Sequence, residues 1–510
     1  MMEEKIQVLK ELRERAARGG GEARVAKQHE QKKLTARERI EKLLDPGSFR
    51  EIFSLASLDF SLAKQDSFGD GVVTGHGKID GRIVCVYAQD ATIAAGSVGV
   101  IHRYKVCHTI DTAAEMGVPL IALNESAGER IQKEKSLSLG SNFFSYTQAS
   151  GKVPLISAIL GNCAGNAVYG AALTDFIFMV DQISHMTITG PKVIKQTTGE
   201  DISLEDLGGA KVHAEISGCA DFRCSSEEEC LEKIRSLIGF LPSNFREPPP
   251  RATPRDDPNR LLEGIEDLLP EDRKKFYDMR KVIANIFDGG EFLEVKKNFG
   301  QSVITGFARL DGYPMGLVAN QPRFLGGALS VDSSDKEARF IRFCDCFNLP
   351  LIFLIDVPGY FPGKNQEYRG IIRHGAKVLY AISESTVPKV SIILRKAYGG
   401  GTTAMGGSPP LGTDRILSWP SGEHAVMSPE AAVNLLFREE LTKAERPEEF
   451  KKEKIREFEE RFYTPYYSAA NVRVHEVILP AETRRVLVET MELLRGKTSP
   501  RRIFHRNMPV

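Results

Sequence analysis

The sequence predicts an α/β protein built from two tandem copies of one domain, residues 1–250 and residues 251–510. Three observations carry this. From Gly69 onward, short apolar runs punctuated by glycine alternate with helical patterns, the signature of an α/β chain. Four landmarks of the first half recur in the second, in the same order and at a nearly constant offset. Between the halves, Leu241–Pro270 holds seven prolines, including Pro248-Pro249-Pro250, and reads as a linker.

The repeat is specific. Gly81–Asp90 is echoed by Gly312–Gln321, and Met116–Leu123 by Phe347–Leu354. Val153-Pro154 and Val387-Pro388 each open a β-rich run. One run ends in Gly161-Asn162-Cys163-Ala164-Gly165-Asn166-Ala167, the other in Arg395-Lys396-Ala397-Tyr398-Gly399-Gly400-Gly401. Leu173-Thr174-Asp175 then matches Gly412-Thr413-Asp414. The offset is 230 to 234 through most of this and 239 after a five-residue insertion.

In chain order, Met1–Ala17 is an amphipathic helix with Ile6, Leu9 and Leu12 on one side, ended by Gly19-Gly20-Gly21. Thr35 caps a second helix that Asp45-Pro46-Gly47 stops. Val153–Thr174 has no charged residue over 22 positions, a membrane-spanning length. Its twin, however, carries Lys389, Arg395 and Lys396, which a lipid-facing segment does not tolerate. Both copies are therefore buried strands followed by buried helices. Arg438–Arg461 is dense in charge and reads as a solvated helical insertion.

Composition narrows the function classes. With 27% charged and 42% hydrophobic residues, the chain is neither fibrous nor disordered. Sixty-eight basic and 68 acidic residues cancel, so no global field draws nucleic acid. Eight cysteines without a CxxC pattern, and a charged N-terminus without an apolar signal core, predict a reducing, cytoplasmic setting and no metal site.

Each copy has the order strand, glycine turn, helix. Such a turn aims several backbone N–H groups at one point, and the helix dipole adds positive potential. That arrangement holds a phosphate or a developing oxyanion. No GxxxxGK[ST] or G-x-S-x-G pattern is present, and His185, His374, Glu125 and Glu129 read as structural or ion-paired groups. A site of backbone donors suits an enolate, with the proton acceptor supplied by substrate or cofactor.

At these residues the sequence resembles the carboxyltransferase family of biotin-dependent acyl-CoA carboxylases, of the propionyl-CoA carboxylase β and methylmalonyl-CoA decarboxylase α type. The shared blocks run almost the whole chain. They include Lys27-Gln28-His29, Leu34–Arg39, Gly69–Gly75, Ala172–Phe176, Thr189-Gly190-Pro191, Thr198-Gly199-Glu200, Asn320-Gln321-Pro322, Asp335-Lys336, Gly370–Lys377 and Arg395–Gly400. The resemblance implies two crotonase-like (ClpP-like) ββα-spiral domains per chain and a hexamer, a trimer of dimers. It implies that the N-terminal half binds acyl-CoA and the C-terminal half biotin. It further implies two backbone oxyanion pairs, Gly165 with Asn166 and Gly400 with Gly401. Ala127, Gly128, Arg130, Ala167, Tyr398 and Thr403 are expected to meet the substrates. Biotin would ride on a separate carrier protein or domain, so a biotin carboxyl carrier protein and a biotin carboxylase are implied partners. Membrane decarboxylase subunits are the alternative ones.

The chain departs from the family pattern. Asn166 stands where the family carries glycine. Ser126-Ala127-Gly128-Glu129-Arg130-Ile131-Gln132 replaces Ser-Gly-Gly-Ala-Arg-Ile-Gln. Gly401-Thr402-Thr403-Ala404 lacks the family's aromatic, and Thr403 aligns with a position that tunes acyl-chain choice. The Asn166 side chain narrows or polarises the acyl pocket, which leaves the acyl group open. Two other roles compete with a carboxylase subunit: the α-subunit of a sodium-pumping acyl-CoA decarboxylase, and a non-catalytic paralogue. The intact Gly399-Gly400-Gly401 argues against the second. A hydratase of the wider superfamily needs positioned carboxylates that are not found in both halves.

Overall fold

The computed structural model describes residues 1–57, 68–130, 140–273 and 275–497. The chain forms two compact units, Met1–Pro248 and Pro249–Val510, which meet inside the proline run.

The first unit opens with helices α1 (Met2–Ala17), α2 (Glu22–Glu30) and α3 (Ala36–Leu43). Thr35 caps α3 as the sequence predicts, and Glu38 completes the cap by accepting from the Thr35 N–H. Helix α2 was not foreseen. The apolar side of α1 stays open within the chain, with Ile6 and Leu9 exposed and Ala16 its only described buried residue.

Eight strands follow: β1 (Arg50–Ile52), β2 (Val72–Ile79), β3 (Arg82–Gln89), β4 (Leu120–Ser126), β5 (Leu155–Ala164), β6 (Phe176–Val180), β7 (His185–Thr187) and β8 (Phe222–Cys224). The sheet order is β1-β2-β3-β4-β5-β6-β8, with β7 paired to the far end of β5. β1 to β3 are antiparallel and the rest parallel. All of β4 and β6 is buried, as a parallel sheet covered on both faces requires. Helix α4 (Val100–Met116) crosses from β3 to β4 and ends at Gly117 in the left-handed region.

The second unit repeats this plan with β9 (Phe292–Val295), β10 (Val303–Leu310), β11 (Tyr313–Asn320), β12 (Leu351–Val357), β13 (Lys389–Tyr398), β14 (Arg415–Ser418), β15 (Glu423–Ala425) and β16 (Glu476–Val477). Its order is β9-β10-β11-β12-β13-β14-β16, with β15 on the far end of β13. Even the register is duplicated. Cys85 faces Leu120 and Leu120 faces Leu155; their sequence twins Gly316, Leu351 and Lys389 face one another in the same way. β4 and β12 both slip register near their ends, between Asn124 and Ser126 and between Ile355 and Val357. Glu125 and Asp356 stand there opposite residues 160–162 of β5 and 394–396 of β13, the strands that bulge.

The membrane question is answered by this register. Val153–Thr174 folds as β5, a turn and the helix Ala167–Ala172, and among the described residues no helix is long and apolar enough to cross a membrane. The linker is shorter than the prolines suggest. Leu262 and Ile265 are buried in the core of the second unit against Met279, Val282 and Leu487, so apolar contact outweighs local composition there. The charged insertion forms helices Arg438–Lys443 and Pro447–Phe462, neither with a buried residue.

Candidate active site

The end of β5 is shaped by three close backbone approaches. Gly96, in the turn after β3, lies so near the Glu125 carbonyl that a Cβ would sit 2.1 Å from it. Ala127 donates its N–H to the Ala95 carbonyl at 3.1 Å. Gly128, at φ +93°, abuts the Ala164 carbonyl, 2.8 Å from where a Cβ would be. The chain then turns at Gly165, with φ +60°, into the helix Ala167–Ala172. The Gly165 N–H is already engaged by the Thr187 carbonyl at 3.0 Å. The amides of Asn166 and Ala167 follow it and precede any intrahelical partner. Asn166 has φ −62° and ψ −22°, which any residue adopts, so the turn itself does not demand glycine there. Its exposed carboxamide does not cap the helix.

The second unit has the same device. β13 runs directly into the helix Gly399–Ala404, with Gly399 at φ +54°. A Cβ on Gly401 would lie 2.8 Å from Gly359 Cα, while one on Gly400 would meet only the Tyr360 ring, at 3.7 Å. By the offset of the repeat, and by their positive φ, Gly165 corresponds to Gly399 and Asn166 to Gly400, so the two expected pairs are not at equivalent positions. The pair equivalent to Gly400 and Gly401 is Asn166 and Ala167. Ala127, Gly128, Asn166 and Ala167 cluster at the end of β5. Thr403 lies half-buried on the helix that follows Gly401.

Two of the residues expected to meet the substrates have side-chain partners within the protein. The Arg130 guanidinium is taken up by Asp70 and by Ser97, through Nε to Oγ at 3.1 Å and Nη2 to the carbonyl at 2.7 Å. It braces the Gly69-Asp70-Gly71 turn. The Tyr398 phenol donates to Glu423, which is also paired with Arg273 at 3.0 Å. Ile131 and Gln132 lie outside the described residues. The histidines and acids set aside as structural are so placed: His374 on Asp335 at 2.6 Å, His185 on Glu205 at 2.9 Å, and Glu129 on Arg103.

Buried lysines explain two of the shared blocks. Lys105 Nζ donates to the carbonyls of Gly69, at 3.0 Å, and Val72. Its twin Lys336 donates to those of Phe299 and Val303 at 3.0 and 2.6 Å. Burial pulls both down, to about 8 and about 7.

Sequence reasoning missed the basic wall beside β4. A cleft of about 480 Å³ is lined by Arg24, Lys27, Lys33, Ala95, Ala127 and Asn162, among others. Three cations from the N-terminal helical segment face one cleft, which fits an anionic ligand. Arg24 and Lys27 lie on a short polar helix with no apolar stripe, and Lys33 lies in the turn beyond it. Among the described residues no cluster of ligating groups could hold a metal ion, and all described cysteines are free.

Residues 27–508 match the model of the carboxyl transferase domain family. The chain belongs to that family. This carboxyltransferase is 48% identical to the propionyl-CoA carboxylase carboxyltransferase subunit of Haloferax mediterranei, over 97% of each chain. It is 46% identical to the methylmalonyl-CoA decarboxylase α-subunit of Veillonella parvula, over 100% of this chain and 99% of that one. Its fold is that of the transcarboxylase 12S subunit, whose structure was solved as a hexamer with methylmalonyl-CoA and methylmalonic acid bound. The two align with a TM-score of 0.95 and 45% identity over 100% and 99% of their lengths. The tandem crotonase-like architecture expected from the sequence is therefore present, and the chain is an enzyme of carboxyl transfer.

Proposed function

We propose that this carboxyltransferase moves a carboxyl group between biotin and the α-carbon of a short acyl-CoA, propionyl-CoA and methylmalonyl-CoA being the first pair to test. The observation that carries the proposal is the duplicated strand–turn–helix, one copy per unit, each presenting first-turn amides with no acceptor among the described residues. In the first unit the amides of Asn166 and Ala167 hold the thioester oxygen and stabilise the enolate as charge develops there. Ala127 and Gly128 form the adjoining wall. Arg24 and Lys27, in the cleft beside β4, receive the phosphates of coenzyme A.

In the second unit the amides of Gly400 and Gly401 fit a ureido oxygen. Neither residue carries a side chain, and both follow Gly399, whose φ of +54° starts the helix there. Biotin, when bound, supplies the carboxyl group and accepts the α-proton. The scarcity of free side-chain bases at both turns agrees with this division of labour. The biotin is carried by a partner, a biotin carboxyl carrier protein served by a biotin carboxylase, and the chain assembles as a hexamer. A decarboxylase α-subunit uses the same amides in the opposite direction.

The test mixes the purified protein with free biotin and malonyl-, methylmalonyl-, ethylmalonyl- and glutaconyl-CoA in turn, and follows each ester by mass spectrometry. Biotin-dependent loss of the carboxyl group from one ester identifies the acyl group. Absence of turnover with all four, together with absence of coenzyme A binding, contradicts the proposal and favours a non-catalytic subunit.

A further inference from the structure

Glu125 is a buried carboxylate that the chemistry above does not use. It is 4% exposed, on β4 opposite the bulge of β5. Its Oε2 accepts from Gln28 Nε2 at 2.8 Å and from Arg39 Nη1 at 2.6 Å, and its Oε1 accepts from Lys33 Nζ at 2.5 Å. Its own N–H is fixed by Gln89 Oε1 at 3.1 Å. Arg39 does not depend on Glu125 alone, because Glu227 holds it through two bonds, at 3.0 and 2.8 Å. Gln28 and Lys33 have no such second carboxylate.

These two donors belong to the segment Gly19–Leu34, which forms one wall of the cationic cleft. The other end of the segment is pinned as well. The Gly20 N–H donates to Thr92 Oγ1 at 3.0 Å, and a Cβ on Gly20 would lie 2.0 Å from the Thr92 carbonyl. Arg24 donates to that same carbonyl at 3.2 Å. Between the pins, Lys27 faces the cleft. The twin carboxylate, Asp356, is satisfied within its own sheet by Arg395 Nε at 3.0 Å and the Lys396 N–H at 3.2 Å. At Gly161, the place of Arg395 in the first unit, a Cβ would already be 2.4 Å from Glu125 Cγ, so no such side chain fits. The first unit thus satisfies this carboxylate from the helical arm, and a cationic cleft lies alongside.

We propose that Glu125 is a positioning residue: by drawing Gln28 and Lys33 onto β4 it holds the arm Gly19–Leu34 as the wall that receives the phosphate-bearing end of a CoA thioester. This rests on the acyl-CoA assignment above. A part-buried ammonium stripped of its counter-ion turns to solvent, and an arm so released must be ordered again at each binding event, which weakens affinity without touching the reacting atoms.

The experiment compares full-length wild type with Glu125→Gln. It reads free coenzyme A binding by calorimetry, steady-state kinetics with methylmalonyl-CoA and free biotin, and hydrogen exchange over Glu22–Glu30. The expected result is a rise of about 10-fold in both the coenzyme A Kd and the KM for the ester, with kcat and the biotin KM within about 2-fold of wild type. Exchange in α2 quickens, and Glu125→Asp recovers part of the affinity. Should Glu125→Gln fail to fold, the double variant Gln28→Leu/Lys33→Met removes the arm's contacts and leaves Arg39 on both carboxylates. It is expected to show the same weak binding and fast exchange. Unchanged affinity in a folded variant overturns the proposal, as does weakened affinity with α2 exchange unchanged, which would make Gln28 and Lys33 direct ligands. A wild type that binds no coenzyme A sinks the acyl-CoA assignment itself.

Discussion

Gly165 and Gly399 are the same hinge in two copies, each turning the chain from its central strand into a short helix at φ +60° and +54°. They differ in what lies beside them. A Cβ on Gly399 would come within 2.8 Å of the Val426 carbonyl, whereas on Gly165 the nearest neighbour is the Ile188 carbonyl at 3.9 Å. Gly165→Ala therefore carries only the left-handed strain of about 1–2 kcal/mol. Gly399→Ala adds a backbone clash and is expected to cost about 2–3 kcal/mol. Thermal unfolding of the two variants measures the order; an equal loss in both would show that the carbonyl moves aside freely.

The second turn yields a sharper kinetic contrast. Gly401→Ala drives a methyl group into Gly359 Cα and Val357 Cγ2, at 2.8 and 2.9 Å, and displaces an amide of the proposed oxyanion pair. We expect kcat to fall about 100-fold, the scale of losing one oxyanion donor. Gly400→Ala meets only the Tyr360 ring at 3.7 Å and should stay within about 10-fold of wild type. Stopped or steady-state assays of both variants suffice, and the reverse order would move the pair one residue toward Gly399.

Much of the fold was legible because the repeat samples it twice. Glycine and proline landmarks placed β3, β4 and β5 opposite β11, β12 and β13, and the cations of β13 disposed of a membrane span in β5. The site was legible only as a turn. That Gly165 spends its N–H on Thr187 follows from β7 joining the end of β5, a pairing across 22 residues that no local pattern announces. The clustering of Gln28, Lys33, Arg39 and Glu227 around Glu125 spans up to 188 positions of sequence and has no period at all. The carboxylates that Arg130 and Tyr398 engage, Asp70 and Glu423, lie 60 and 25 positions away, so their partners too are invisible to local pattern.

Arg39 is fully buried between Glu125 and Glu227, and burial pushes the Glu227 carboxyl up while Arg39 opposes it. Arg39→Met removes the only shared cation and leaves two buried acids facing each other. A loss of about 3–5 kcal/mol is expected. Arg39→Lys should recover little, since one ammonium cannot replace the forked contacts to Glu227. Urea unfolding monitored in the first unit would detect this, and a near-neutral Arg39→Met would contradict it.

Glu337 offers a pH prediction. It is fully buried, neither carboxyl oxygen has a hydrogen-bond partner, and burial holds it well above the usual carboxylate range. The unfolded chain releases this proton near pH ~4.3 while the folded chain keeps it, so the native state binds more protons above that point and stability falls as pH rises. Glu337→Gln removes this dependence. Its melting temperature should exceed that of wild type, by a margin that widens from pH ~5 to ~7. A margin that stays constant with pH would mean that Glu337 ionises in place.

The most direct test of carboxyl transfer follows the carboxyl carbon itself. Methylmalonyl-CoA labelled in its free carboxyl group is incubated with the purified chain and free biotin, and the label is traced. The structure predicts acid-labile label on biotin together with propionyl-CoA, and a large loss of both in Gly401→Ala. Turnover of the ester at the same rate without biotin, or no labelled biotin while coenzyme A binds normally, would contradict the account.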